Sequence, residues 1–118
     1  MIINTFITQG VEDYSFIQLQ KAVSLNSADS DAYLFLAFLY EKKGDTENTH
    51  LHLTDSYEKN PKHLETLIKL SQLNLQNKQY ETALTYLEKA VEINSQNEEI
   101  YNNMGLCYFN QVNISDTL

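Results

Sequence analysis

Residues 60–95 read NPKHLETLIKLSQLNLQNKQYETALTYLEKAVEINS, and this stretch decides the fold. It covers slightly more than one period of a repeat. The pair Asn60-Pro61 recurs as Asn26-Ser27 and as Asn94-Ser95, each time at an interval of 34 residues. A stack of similar supersecondary units accounts for this register, because each unit must present the same face to its neighbour.

Within one period the apolar residues form two runs with helical spacing. Leu67, Leu70 and Ser71 follow the i, i+3, i+4 pattern, and a second run begins after a break near Asn77-Lys78. No segment alternates as a strand would. The predicted helices span roughly 12–25, 30–43, 46–59, 64–77, 80–93 and 98–110, with a short apolar piece at 2–9 before the first.

Charge and length exclude several classes of protein. The net charge is −8, from 16 acidic residues against 8 lysines, and such a chain repels nucleic-acid phosphates and anionic lipid. No apolar run is long enough to cross a bilayer, and the N-terminus lacks the basic segment of a signal peptide. The single cysteine excludes an internal disulfide. We therefore expect a cytoplasmic protein with no nucleic-acid partner and no direct membrane insertion.

The repeat resembles the tetratricopeptide repeat, a helix–turn–helix of 34 residues with the pattern W-x2-L-G-x2-Y…A-x3-F…A…P. The resemblance implies an all-α, right-handed α-solenoid of helix–turn–helix hairpins, with three to three and a half repeats. The positions that match the motif in repeats two to four are expected to pack the repeats together. They are Tyr33, Leu36, Ala37, Tyr40, Leu53, Pro61, Leu70, Ser71, Ala83, Leu87, Ala90, Tyr101, Gly105 and Tyr108.

The same register predicts one solenoid domain in four parts. Residues 1–29 form a partial first repeat, 30–63 the second, 64–97 the third and 98–118 a partial fourth. Both terminal repeats are incomplete, which has two interpretations. The chain is a fragment of a longer array, or its uncapped C-terminal end pairs with another subunit.

The resemblance also implies a peptide-binding groove, since the first helices of successive repeats line a concave surface in this family. Carried over to this sequence, the groove residues are Asp31, Leu34, Phe35, Phe38, Lys42, Glu65, Ile68, Lys69, Gln72, Gln76, Glu99, Asn102, Asn103, Leu106 and Asn110. The alternative interpretation is that the apolar members are core residues and that the amides merely solvate a surface.

The composition of these positions indicates the kind of ligand. Leu34, Phe35 and Phe38 form an apolar end, and the amides can pair with the exposed backbone of a peptide. Some family members bind acidic carboxy-terminal tails through a clamp of Lys, Arg and Asn, which this sequence does not reproduce. We therefore expect a neutral or basic segment with apolar anchors as the partner.

No motif predicts catalysis, a metal or a cofactor. His50 and His52 are two residues apart on a helix, so their side chains point in nearly opposite directions and cannot share a metal without other ligands. Cys107 is interpreted as a small packed residue rather than a nucleophile.

The predicted function is that of a non-catalytic adaptor, scaffold or chaperone-like protein-interaction module. One alternative is a regulatory segment of a larger enzyme. Another is an RNA-binding helical-repeat array, which the acidic residues of the predicted groove disfavour.

Overall fold

The computed structural model describes the backbone of residues 2–26 and 28–117 and the side chains of residues 10–26 and 28–112. This part of the chain contains helices and no strand, which confirms the all-α prediction. The helices are α1 (Ile2–Leu25), α2 (Ser30–Lys42), α3 (Thr46–Lys59), α4 (Leu64–Gln76), α5 (Tyr80–Ile93) and α6 (Glu98–Thr117). From α2 to α5 each helix lies within one residue of its predicted bounds.

The helices that open the repeats begin at capping residues spaced by 34. Asp29 accepts a hydrogen bond from the Ala32 amide at 3.0 Å, and His63 accepts one from the Thr66 amide at 3.4 Å. Asn97 accepts from the Glu99 amide at 2.9 Å at the start of α6. Each bond satisfies an amide that the helix itself cannot pair, so the caps keep the repeats in register.

Two predicted breaks are absent, because α1 and α6 each continue through the position where a turn was expected. Gly10 lies in the register of Gly44, but the next residue is Val11 where the second repeat has the capping residue Asp45. Val11 has no side-chain acceptor for the unpaired amides that a new helix would begin with. Those amides are better satisfied when the helix continues. In α6 the turn position is Val112, and a β-branched residue strongly disfavours a left-handed backbone.

The chain divides into two compact units, Met1–Asn60 and Pro61–Leu118. In the first unit α2 packs against α1 and α3. Leu36, Ala37 and Leu53 are fully buried, while Ser30 and Ser56 join α2 to α3 through 2.9 Å hydrogen bonds. These small polar residues allow the two helices to approach closely without leaving unpaired hydroxyl groups.

In the second unit α5 packs against α4 and α6, and α4 also contacts α6. The small residues Ser71, Ala83 and Ala90 are at most 1% exposed, as are Leu70 and Leu87. Small side chains of this kind are what a close approach between two helices requires.

The remaining residues predicted to pack the repeats have different surroundings. Tyr33 and Tyr40 are partly buried. Pro61 is exposed, and it directly follows Asn60, the C-terminal capping residue of α3. Tyr101, Gly105 and Tyr108 are exposed. The packing role of these three residues stays a prediction.

Candidate peptide-binding surface

An apolar groove lies between α1 and α2 in the first unit. Phe35, Phe38 and Lys42 of α2 lie three and then four residues apart, so they share one side of the helix with Asp31. The rings of Phe35 and Phe38 are in contact, with centroids 6.3 Å apart. Together with α1 they enclose an open cavity of about 690 Å³, a size in the range of known ligand sites.

The α1 side of this groove was not predicted from the sequence. It is formed by Val11, Tyr14, Ser15, Gln18 and Leu19. Val11 and Tyr14, three positions apart on α1, are 59% and 72% exposed. The i, i+3 spacing of these two apolar residues could have indicated the α1 side of the groove, but neither position belongs to the repeat motif.

Charged residues flank the groove. Lys42 forms an ion pair with Glu12 across the two helices, with Nζ and Oε1 3.2 Å apart. Asp31, four residues before Phe35, is also exposed on the groove side of α2. Glu12 and Asp31 therefore place two negative charges beside the one positive charge of Lys42.

Leu34 differs from its predicted neighbours in the groove. It is 1% exposed and belongs to the core, whereas Phe35 is 48% exposed. Leu34 is therefore a core residue, as the alternative interpretation predicted. Phe35 and Phe38 provide the accessible apolar surface of α2.

Several predicted groove residues of the second unit lie on α4. Ile68 is buried, while Glu65 and Gln76 are exposed. Gln72 donates a hydrogen bond from Nε2 to Glu99 Oε1 at 3.1 Å, which joins α4 to α6. Lys69 is partly buried.

The remaining predicted residues lie on α6. Asn102 and Leu106 are exposed, and Asn110 donates from Nδ2 to the Leu106 carbonyl at 2.7 Å. Asn103 is only 7% exposed, and its Nδ2 has no hydrogen-bond partner among the described residues. An amide donor buried without a partner is costly, so Asn103 does not behave as a solvated surface residue.

The histidines and the cysteine have structural surroundings. His52 packs against Tyr33 and Tyr40 in tilted ring contacts, with centroids 6.3 Å and 4.9 Å away, and its Nδ1 lies 2.9 Å from the Asn48 carbonyl. Cys107 is fully buried, and loss of hydration raises the pKa of its thiol. The interpretation of Cys107 as a packed residue is confirmed.

The described residues contain no group of three or more His, Cys, Asp or Glu side chains placed to hold a metal ion. None of their helices combines the length and apolar character that a membrane crossing requires.

Comparison with known proteins confirms the resemblance to the tetratricopeptide repeat. Residues 73–112 match the family model of the TPR repeat. The fold is similar to that of a tetratricopeptide repeat protein from Parabacteroides merdae, with a TM-score of 0.75 and 23% identity over 85% of this chain and 39% of that one. Two structures of MamA also have TM-scores of 0.75 at 19% identity. They match over 92% and 94% of this chain and over 59% and 65% of their own.

These likenesses establish the helical-repeat fold. The chain spans between about two fifths and two thirds of the length of the solved structures it resembles. No curated protein matches its sequence. Proteins with tetratricopeptide repeats are generally non-catalytic modules for protein–protein interaction, because stacked repeats present an extended preformed surface.

Proposed function

We propose that this chain is a protein-interaction module whose α1–α2 groove binds a neutral or basic segment of a partner protein. The observation that carries the proposal is the pair of exposed aromatic residues, Tyr14 and Phe35, on the two helices that line the cavity. Exposed aromatic side chains contribute strongly to binding, since each buries a large area at a small cost in conformational entropy.

The cavity is suited to one or two apolar side chains of the ligand. Its α2 side presents Phe35, Phe38 and Leu39, and its α1 side presents Val11 and Leu19. The polar groups Ser15 and Gln18 lie beside them and can pair with the ligand backbone. Apolar anchors with a few orienting polar groups are the usual composition of a binding site.

Charge supports the choice of ligand. The chain carries −8 overall, and Glu12 and Asp31 outnumber Lys42 beside the groove. A basic segment would be attracted to this surface, and the attraction would increase its association rate at low salt.

Selection from a random peptide library, with the whole chain as bait, would test the proposal. The selected peptides should carry one or two apolar residues and no excess of Asp and Glu. Their affinity should fall at least about tenfold in Phe35→Ala, because the truncated ring no longer fills the groove.

Leu51→Ala is the matched control for this experiment. Leu51 is 52% exposed on α3 of the same unit and does not line the groove, so its truncation should leave affinity unchanged. Selection of acidic peptides, or an equal loss of affinity in both variants, would count against the proposal.

A further inference from the structure

Helix α6 has an exposed apolar face on a different side from the one it buries. Ile100 and Cys107 are fully buried. Tyr101, Gly105 and Tyr108, at positions i, i+4 and i+7, lie together on another side. We define the α6 face as these three residues together with the adjacent Phe109 and Val112. Its four larger side chains are each between 48% and 61% exposed.

The repeat register shows what such a face does elsewhere. Tyr101 and Tyr108 lie two periods after Tyr33 and Tyr40, which are in ring contact with His52 of α3. In the second repeat this face of the first helix is thus used to hold another helix. In α6 the equivalent tyrosines, Tyr101 and Tyr108, are 48% and 51% exposed in the described part of the chain.

The α6 face is also electrically neutral in a strongly acidic chain. Residues 100–112 contain no Asp, Glu, Lys or Arg, although the chain as a whole carries −8. In a two-fold symmetric interface each residue faces the same patch on the other copy, so any charge there would oppose its own kind. An uncharged stretch is the part of this chain where two copies can meet with least repulsion.

The polar and steric features of the face fit a second copy. Tyr hydroxyls and Asn amides both donate and accept hydrogen bonds, so Tyr108 and the neighbouring exposed Asn102 can pair with their own kind. Gly105 is exposed near the middle of the α6 face, and a Cβ built there meets nothing within 4 Å. A glycine at this point allows the backbones of two helices to approach closely.

We propose that two copies of this chain associate through the α6 face, with the helices crossing near Gly105 and the four larger apolar side chains packed around the crossing. This surface is separate from the α1–α2 groove. The α6 face has no charged residues and so suits a second copy of itself, whereas the acidic surroundings of the groove favour a neutral or basic segment. The two proposals can therefore fail independently.

Sedimentation velocity over a range of concentrations of the 118-residue chain would test the proposal. We expect a reversible monomer–dimer equilibrium. Gly105→Glu should raise its dissociation constant at least about tenfold, because it places two like charges at the crossing. The variant should still fold, since the position has room for a side chain and Glu favours a helix more than Gly does.

Gln96→Glu is the matched control. It adds the same charge in an exposed turn of the same unit, outside the α6 face, and should leave the dissociation constant within about twofold. Tyr108→Ser is a second test that adds no charge, and it should weaken association through lost apolar contact.

Salt provides an independent readout. Screening weakens the repulsion between two copies of a chain with charge −8, so added salt should strengthen dimerisation. It should weaken the binding of a basic peptide to the groove. A monomer at every concentration would overturn the proposal, and so would a dimer unaffected by Gly105→Glu.

Discussion

Gly44 and Lys78, one period apart, share a left-handed backbone with φ values of 76° and 62°. Each follows the residue that caps a helix, and the hydrogen bonds around it are the same. The Gly44 and Lys78 amides donate to the carbonyls three residues earlier, and the next amides donate to the carbonyls five residues earlier. This is the Schellman arrangement, in which a left-handed residue ends a helix and pairs its last carbonyls.

Lys78→Gly should stabilise the fold by about 0.5–1 kcal/mol. A left-handed backbone costs a residue with a Cβ about 1–2 kcal/mol, and the greater flexibility of glycine in the unfolded chain offsets part of that gain. Urea denaturation would measure the change in the free energy of unfolding. Gly44→Ala is the reciprocal control and should destabilise the fold by a similar amount, since a Cβ there has no steric contact. A destabilised Lys78→Gly variant would contradict this explanation of the turn.

Gln79→Asp should stabilise α5 by about 1 kcal/mol through a new helix cap. Asp45 caps α3 by accepting from the Asn48 amide at 3.1 Å, whereas Gln79 at the same register makes no side-chain cap bond. The backbone angles of the two residues are similar, so Asp can take the same role. Thermal denaturation would measure the gain. Gln79→Asn separates the hydrogen bond from the charge, and a gain in neither variant would show that the cap does not form.

Asp45 should make the stability of the fold depend on acidic pH. The Asn48 side-chain amide, 2.7 Å away, and then the Asn48 backbone amide lower the pKa of this carboxyl. A carboxyl whose pKa is lower in the folded state stabilises the fold above its unfolded pKa. That contribution is lost as pH falls below about 4.

The measurement is a series of urea denaturation curves from neutral pH into this acidic range. Asp45→Asn retains an acceptor for the cap but cannot titrate, so its stability should fall less steeply with acid. In Asn48→Ala the pKa of Asp45, followed by NMR, should return towards its ordinary value. An unchanged Asp45 pKa in that variant would show that the Asn48 side chain is not what lowers it.

The sequence predicted the central helices well because several local signals agree there. Asp29 and Asp45 are strong capping residues, Gly44 suits a left-handed turn, and small residues recur where helices cross. Where one signal was missing, at Val11 and Val112, the register still predicted a break and the chain formed a continuous helix. A repeat pattern thus predicts a turn only where the residue at the turn permits one.

The groove could be predicted only in part, for a related physical reason. The α2 side follows from the repeat register, which places Phe35 and Phe38 on one face. Its α1 side depends on a continuous first helix and on tertiary packing, neither of which the motif encodes. The register also cannot separate Leu34 from Phe35, because burial depends on which neighbouring helix covers each residue.

Asn103→Leu should raise the free energy of unfolding by about 1–3 kcal/mol, because it replaces a buried donor without a partner by an apolar group of similar size. Chemical denaturation would measure the gain. Asn102→Leu, at the adjacent exposed position of α6, is the matched control. Both substitutions raise helix propensity equally, so the difference between the variants isolates the burial of the amide. Equal gains would show that the Asn103 amide is satisfied in solution, and a loss in Asn103→Leu would show that its other polar atom makes a necessary bond.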